Sequence, residues 1–262
     1  MVYGIQSEEG VHGRASLWKT VQHWLLPARC IACTGHANSS RSMTDHGIAL
    51  MDLCGACYDS LPLNQHACRH CALPLSSTQA NLVCGRCLVR PPRYELSLCA
   101  YRYQYPLQHL VRQLKFHGAL SHAQVLGLLL ANYLRARHVD DWPACFVPVP
   151  LHATRYRQRG YNQVIEVGKY LQQALPVPMR TDLVSRKRNT VEQTGLSRRA
   201  RRSNLRRAFI THGPMPKHIA LLDDVITTGS TVNELSRILK AAGVERIEVW
   251  GLARAMAGKT SQ

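Results

Sequence analysis

The sequence predicts an α/β protein built on a parallel sheet flanked by helices and preceded by a small cysteine-rich double zinc ribbon. Three observations carry that expectation. Four C-x-x-C pairs are confined to residues 28–90; short β-branched runs alternate with helical patterns through residues 98–256; and a continuous apolar run, Ile219 to Leu222, leads into two carboxylates and a turn of small hydroxylated residues. A chain of 262 residues can bury the core of a medium domain beside a small module. The expected division is an N-terminal helical segment over 1–27, the double zinc ribbon over 28–92 and the sheet domain over 93–262. Its second boundary lies near Pro91-Pro92, where the composition shifts.

At the N-terminus, Lys19 and His23 interrupt the apolar stretch from Leu17 to Leu26. Neither a signal peptide nor a spanning helix is expected there, and the protein is placed in the cytoplasm with no stable membrane insertion. Trp18, Val21, Trp24 and Leu25 share one face at helical spacing, which suits either a membrane-surface or partner helix or simple packing on the protein's own domain. No function is assigned to it. The stretch from Thr34 to Asp45, rich in Ser, Asn and Gly, reads as a loop within the ribbon.

The cysteines carry the first chemistry. Cys30/Cys33, Cys54/Cys57, Cys68/Cys71 and Cys84/Cys87 are four bidentate grips separated by 20, 10 and 12 residues. Two such grips make one tetrahedral thiolate site, so eight ligands make two structural Zn2+ sites. A redox dithiol is usually a single pair, and iron–sulfur ligands are less regularly spaced. Sequential pairing is simplest, and interleaving remains open. Cys99 and Cys145 sit in apolar strand surroundings and are expected to be small buried hydrophobes.

The second part reads, in order, as a strand from Leu98 to Tyr103, helices over Leu107 to Phe116 and Leu120 to Arg137, and a strand from Cys145 to Pro150. A helix from Asn162 to Ala174, a strand from His218 to Asp223, a helix from Ser230 to Ala242 ended by Gly243, and a strand from Val244 to Leu252 complete it. Strand, helix, strand in that order argues for parallel pairing.

The formal charge of +17 raises the expectation of polyanionic partners. It is concentrated in Arg186 to Arg207, where nine basic residues face a single acid, Glu192. Arg198, Arg199, Arg201 and Arg202 are the candidates there for a DNA backbone, for a lid over pyrophosphate, or for a merely solvated face.

The segment Asp223-Asp-Val-Ile-Thr-Thr-Gly-Ser-Thr231 carries the second chemistry. A strand that ends at a helix N-terminus aims free N–H groups and the positive end of the helix dipole at one point, which suits a phosphate. Gly229 lets the backbone come close, and Thr227, Thr228, Ser230 and Thr231 add hydroxyl donors. Asp223 and Asp224 cannot hold that phosphate; adjacent carboxylates suit the vicinal hydroxyls of a ribose. The plainer alternative is a strand cap followed by an ordinary N-capped helix.

This segment resembles the 5-phosphoribosyl-1-pyrophosphate (PRPP) signature of type I phosphoribosyltransferases. With the cysteine pairs, the stretches LCGAC, CGRC, QLKF, VPVPL, RGYNQ and LRRAF resemble the ComF/GntX family over nearly the whole chain. The resemblance implies a type I phosphoribosyltransferase-like sheet with PRPP, or a related ribose phosphate, held with Mg2+ by Asp223, Asp224, Val225, Thr227, Thr228, Gly229, Ser230 and Thr231. By position it points to Leu151, His152, Arg157 and Arg159 for the pyrophosphate, with Ala153 and Arg155 beside them. Where similar enzymes continue VPVP with an acidic and small-residue turn, this chain has Leu151-His152. Catalysis would rest on Asp223 and Asp224 near a developing oxocarbenium-like centre. Kinship also implies a role in natural competence or the use of external DNA, beside uptake machinery. Two classes stay open: a phosphoribosyltransferase with an unread acceptor, and a protein that holds PRPP or single-stranded DNA without turnover.

Overall fold

The computed structural model describes residues 29–37, 52–76, 82–138, 141–151, 153–186 and 208–256. The chain divides into two compact units, Met1–Asp59 and Ser60–Gln262. The unit that holds the sheet thus begins upstream of the composition shift at Pro91-Pro92 and takes in the second set of cysteines.

In the first unit, the backbone folds around Cys30 and Cys33: Cys30 donates to the Gly35 carbonyl, Thr34 donates to the Cys30 carbonyl, and Arg29 bridges His36. A short helix, α1 (Gly55–Asp59), follows directly from Cys54 and carries Cys57.

The second unit opens with another such turn and a matching helix, α2 (Gly85–Val89), before strand β1 (Leu96–Arg102). Helices α3 (Leu107–Phe116) and α4 (Ser121–Arg135) lead to β2 (Cys145–Pro148). Then come α5 (Ala153–Arg159), α6 (Gln163–Ala174) and a hairpin of β3 (Val184–Arg186) and β4 (Phe209–Thr211). Strand β5 (His218–Ile226), helix α7 (Ser230–Ala241) and strand β6 (Arg246–Arg254) complete the order. The main sheet runs β1-β6-β5-β2 with every neighbouring pair parallel.

Central parallel strands are covered on both faces and so carry continuous apolar runs: Ile219 to Leu222 in β5, ahead of its two carboxylates, and Val249 to Ala253 in β6, after the buried Glu248. On one face, Val232, Leu235 and Leu239 of α7 share a buried cluster with Ile219, Leu221, Ile247 and Val249. On the other, Gly168 of α6 lies against Phe146 and Leu222, where an added Cβ would meet Phe146 at 3.2 Å. Helix α3 buries Leu107, Leu110, Val111 and Leu114, the 0, 3, 4, 7 spacing of one helical face. Cys99 and Cys145 are buried and unpaired by disulfides, as small hydrophobes.

Several boundaries move for physical reasons. β2 stops at Pro148, where the expectation ran to Pro150. β5 runs three residues beyond Asp223, and there Asp224 is paired with Lys115 of α3 and Gln163 of α6. β6 extends to Arg254, whose buried side chain donates to backbone carbonyls. Helix α5 and the β3–β4 hairpin have no apolar periodicity to announce them. Among the described residues, no helix is long and apolar enough to cross a membrane.

Candidate functional site

The candidate site lies at the carboxyl ends of the parallel strands, the edge where open α/β sheets bind ligands. Strand β5 delivers Asp223 and Asp224 to this edge, and Thr227, Thr228 and Gly229 turn the chain into α7. Gly229 has φ 74° and stands at the N-cap of α7. A side chain there would be strained by the left-handed backbone, and the Tyr94 hydroxyl lies 3.5 Å from where its Cβ would sit. The Thr228 hydroxyl lies 2.8 Å from that of Ser230 and accepts from the Ser230 N–H, so the first turn is held by its own side chains. Thr227 and Thr228 are exposed, and Ser230 and Thr231 are half-exposed.

Adjacent strand residues leave the backbone in different directions, and the two neighbouring carboxylates take different partners. Asp224 is buried, 3.0 Å from the Lys115 ammonium of α3, and accepts at 2.8 Å from Gln163 Nε2 of α6. Its other oxygen accepts from the Val225 N–H. Asp223 is half-buried and accepts from the Asp224 N–H. Burial and the neighbouring Asp224 carboxylate push its carboxyl up to about 7, against the opposing pull of Lys115.

A cleft of about 650 Å³ is lined among others by Lys115, the partner of Asp224, and by Phe116, Arg155, Arg159 and Tyr161. The motif RGYNQ builds one wall. Gly160 takes φ 76°; the Asn162 side chain caps α6 by accepting from Val164 and donates to the Val149 carbonyl. Arg159 donates to Gln163 Oε1 at 2.9 Å, which leaves the amide nitrogen of Gln163 for Asp224. Burial and the nearby Arg155 lower the Arg159 guanidinium, the sign of cations crowded where an anion would relieve them. Of the residues expected at the pyrophosphate, Arg159 lines the cleft, with Arg155 beside it. Leu151 is half-buried, Arg157 is exposed on α5 away from the lining, and His152 lies outside the described residues. So do Arg198, Arg199, Arg201 and Arg202.

Lys115, Gln163 and Tyr161 were not singled out by the reading of the sequence, although they sit in the stretches QLKF and RGYNQ. Lys115 falls next to Leu114 on the border of an apolar helix face, and a lone cation in that place was the available signal.

The cysteines form two tetrads, Cys30/Cys33/Cys54/Cys57 and Cys68/Cys71/Cys84/Cys87, with the sulfurs of each set within 4.8 Å of one another. The pairing is sequential. Four sulfurs at about 2.3 Å from one zinc lie roughly 3.8 Å apart, and the Cys33–Cys54 and Cys71–Cys84 separations are 3.8 and 3.7 Å. The donor set therefore fits structural zinc. Burial raises the Cys68 thiol, but the backbone N–H groups of Cys84, Cys71 and His70 outweigh it and bring it down to about 7, whereas burial and the neighbouring sulfurs raise Cys71 and Cys87.

The family described as Double zinc ribbon domain matches residues 21–88. Competence protein F of Haemophilus influenzae is 36% identical over 236 residues, covering 87% of this chain and 97% of that protein. The DNA utilization protein YhgH of Escherichia coli is 36% identical over 208 residues, covering 78% of this chain and 91% of its own length. Among solved structures, the hypoxanthine phosphoribosyl transferase of Trypanosoma cruzi aligns over 55% of this chain and 68% of its own, at 12% identity and a TM-score of 0.33.

Proposed function

The chain belongs to the competence protein F family, and from that premise we propose that its sheet domain binds PRPP with Mg2+ and serves the use of external DNA. One observation carries the ligand: β5 presents two carboxylates directly before a turn of hydroxyls at the N-terminus of α7, beside a cleft walled by Lys115, Arg155 and Arg159. In this reading the 5-phosphate sits on the turn from Thr227 to Thr231, where N–H groups and the helix dipole favour an anion. The ribose hydroxyls meet Asp223 and Asp224, with Val225 between them, and the pyrophosphate faces the cationic cleft. Mg2+, when bound with the ligand, neutralises part of the pyrophosphate charge.

For pentosyl transfer, this chain's residues would act by position and charge. Lys115 and Arg159 stabilise the departing pyrophosphate, and the carboxylates sit near the cationic C1 centre. The names of the relatives, one for competence and one for DNA utilization, support a role in handling DNA, and the basic stretch from Arg186 to Arg207 favours a second reading as a single-stranded DNA-binding protein. In both readings the protein works in the cytoplasm.

The test is equilibrium binding of PRPP with Mg2+ to the wild type and to Asp223→Asn/Asp224→Asn. The double variant is expected to keep its fold and to bind about tenfold more weakly, about 1.4 kcal/mol. Equal affinity in a folded variant would reduce the acidic pair to a strand cap.

A further inference from the structure

The second cysteine tetrad and the phosphate loop meet on one side chain. Arg254, the last residue of β6, is 1% exposed. Its Nε donates to the carbonyl of the tetrad residue Cys71 at 2.8 Å. Its Nη1 donates to the carbonyls of Ile226, at 2.9 Å, and Thr227, the two residues that begin the loop. A planar guanidinium fork can hold two backbone segments at once, and a lysine ammonium on a flexible stem cannot reproduce that geometry.

The consequence for the loop follows from peptide geometry. In a planar trans peptide, C=O and the next N–H point in opposite directions. Fixing the Ile226 and Thr227 carbonyls on Arg254 therefore turns the N–H groups of Thr227 and Thr228 away from it. Two further contacts brace the same turn from the segment that follows the tetrad. The Tyr94 hydroxyl stands against Gly229, and the Arg93 N–H donates to Asn233 Oδ1 of α7 at 2.9 Å. Asn233 in turn donates its N–H to the Gly229 carbonyl.

The tetrad end of the strut is equally specific. Ala72, with φ 53°, follows Cys71; its N–H donates to the Cys68 carbonyl and its carbonyl accepts from Asn64 Nδ2. The convergence of Cys68 and Cys71 on a common centre sets where the Cys71 carbonyl points. Charge acts in the same sense. Arg254 is a buried cation whose hydrogen bonds, among the described residues, end on neutral carbonyls. Four thiolates around one divalent ion leave about two net negative charges beside it.

We propose that Arg254 is a positioning residue that makes the shape of the phosphate loop depend on the metal-loaded state of the Cys68/Cys71/Cys84/Cys87 tetrad. The first tetrad belongs to the other compact unit and serves as the control. The consequence for ligand affinity rests on the function proposed above; the consequence for loop order does not.

The experiment is hydrogen exchange on the full zinc-loaded chain, with zinc counted in each variant. In Arg254→Lys, about two zinc ions per chain should remain while the amides from Val225 to Thr231 exchange about tenfold faster and those from Ile219 to Leu222 do not change. Cys84→Ser should lose one zinc and give the same local loosening, and Cys54→Ser should lose one zinc and leave the loop as it was. If Cys84→Ser does not fold, stepwise zinc release from the wild type by a mercurial reads the same amides. Unchanged loop exchange in Arg254→Lys, or a rise shared equally by the strand, would overturn the proposal. PRPP with Mg2+ is then titrated into each variant. A wild type that binds none of it removes the ligand assignment and leaves the exchange result to decide the coupling.

Discussion

The Lys115 ammonium lies 3.0 Å from the Asp224 carboxylate, and both groups are largely out of water. This pair joins α3 to β5 at the mouth of the cleft, so one lysine serves two purposes. It neutralises a buried acid and lines the cavity that the proposed pyrophosphate enters.

Lys115→Met separates those purposes. Loss of the cation leaves Asp224 with only neutral hydrogen-bond donors among the partners described, at an expected cost of about 1–3 kcal/mol in urea unfolding. PRPP binding should weaken about tenfold. Adding Asp224→Asn should restore most of the stability and none of the affinity. Unchanged stability in Lys115→Met would show that the pair is a contact without energetic weight.

The fold was legible from the sequence where burial and periodicity coincide. Helix α3 falls on the expected residues because its apolar spacing is regular, and Gly243 ends the last helix near the expected place at φ 96°. The order of strands and helices predicted parallel pairing, and the main sheet is parallel throughout. The misjudged ends of β5 and β6 share one cause. Asp224 and Arg254 are charged, so they read as lying beyond a strand, whereas they find partners in elements distant in sequence: Lys115 and Gln163 for the one, the Cys71 carbonyl for the other. Nothing local in the chain indicates that Asp224 will be turned inward or that Arg254 will meet a cysteine turn 183 residues away. The eight cysteines were legible from spacing alone as candidates for two tetrads, while their sequential pairing required the fold.

Asp223 predicts a pH dependence. Its carboxyl is pushed up to about 7 in the folded protein, against roughly 3.9 in an unfolded chain. Between those values the folded state holds a proton that the unfolded state releases, so this group lowers stability as pH rises from about 4 to about 7 and adds no further slope above that. Asp223→Asn should therefore stabilise the protein more at pH 8 than at pH 6, by about 1 kcal/mol, in thermal or urea unfolding without ligand. An equal gain at both values would mean that the carboxyl titrates in its ordinary range. Binding that requires the ionised carboxylate should strengthen over the same window.

Arg198, Arg199, Arg201 and Arg202 decide between the two readings of the basic stretch. If they track a DNA backbone, changing all four to Ala weakens single-stranded DNA binding with little sequence preference. It also flattens the slope of log affinity against log salt by about 0.7 for each lost phosphate contact. If they close over pyrophosphate, PRPP affinity falls and DNA affinity barely moves. A variant unchanged in both would mark a solvated face.

The ligand itself is the most direct test. Calorimetric titration of the zinc-loaded full chain with PRPP, in the presence and absence of Mg2+, should show saturable binding to one site per chain that weakens when the metal is omitted. Competition by ribose 5-phosphate should place the shared affinity on the turn from Thr227 to Thr231. Absence of binding heat at several temperatures, together with no protection of that turn in hydrogen exchange, would contradict the account.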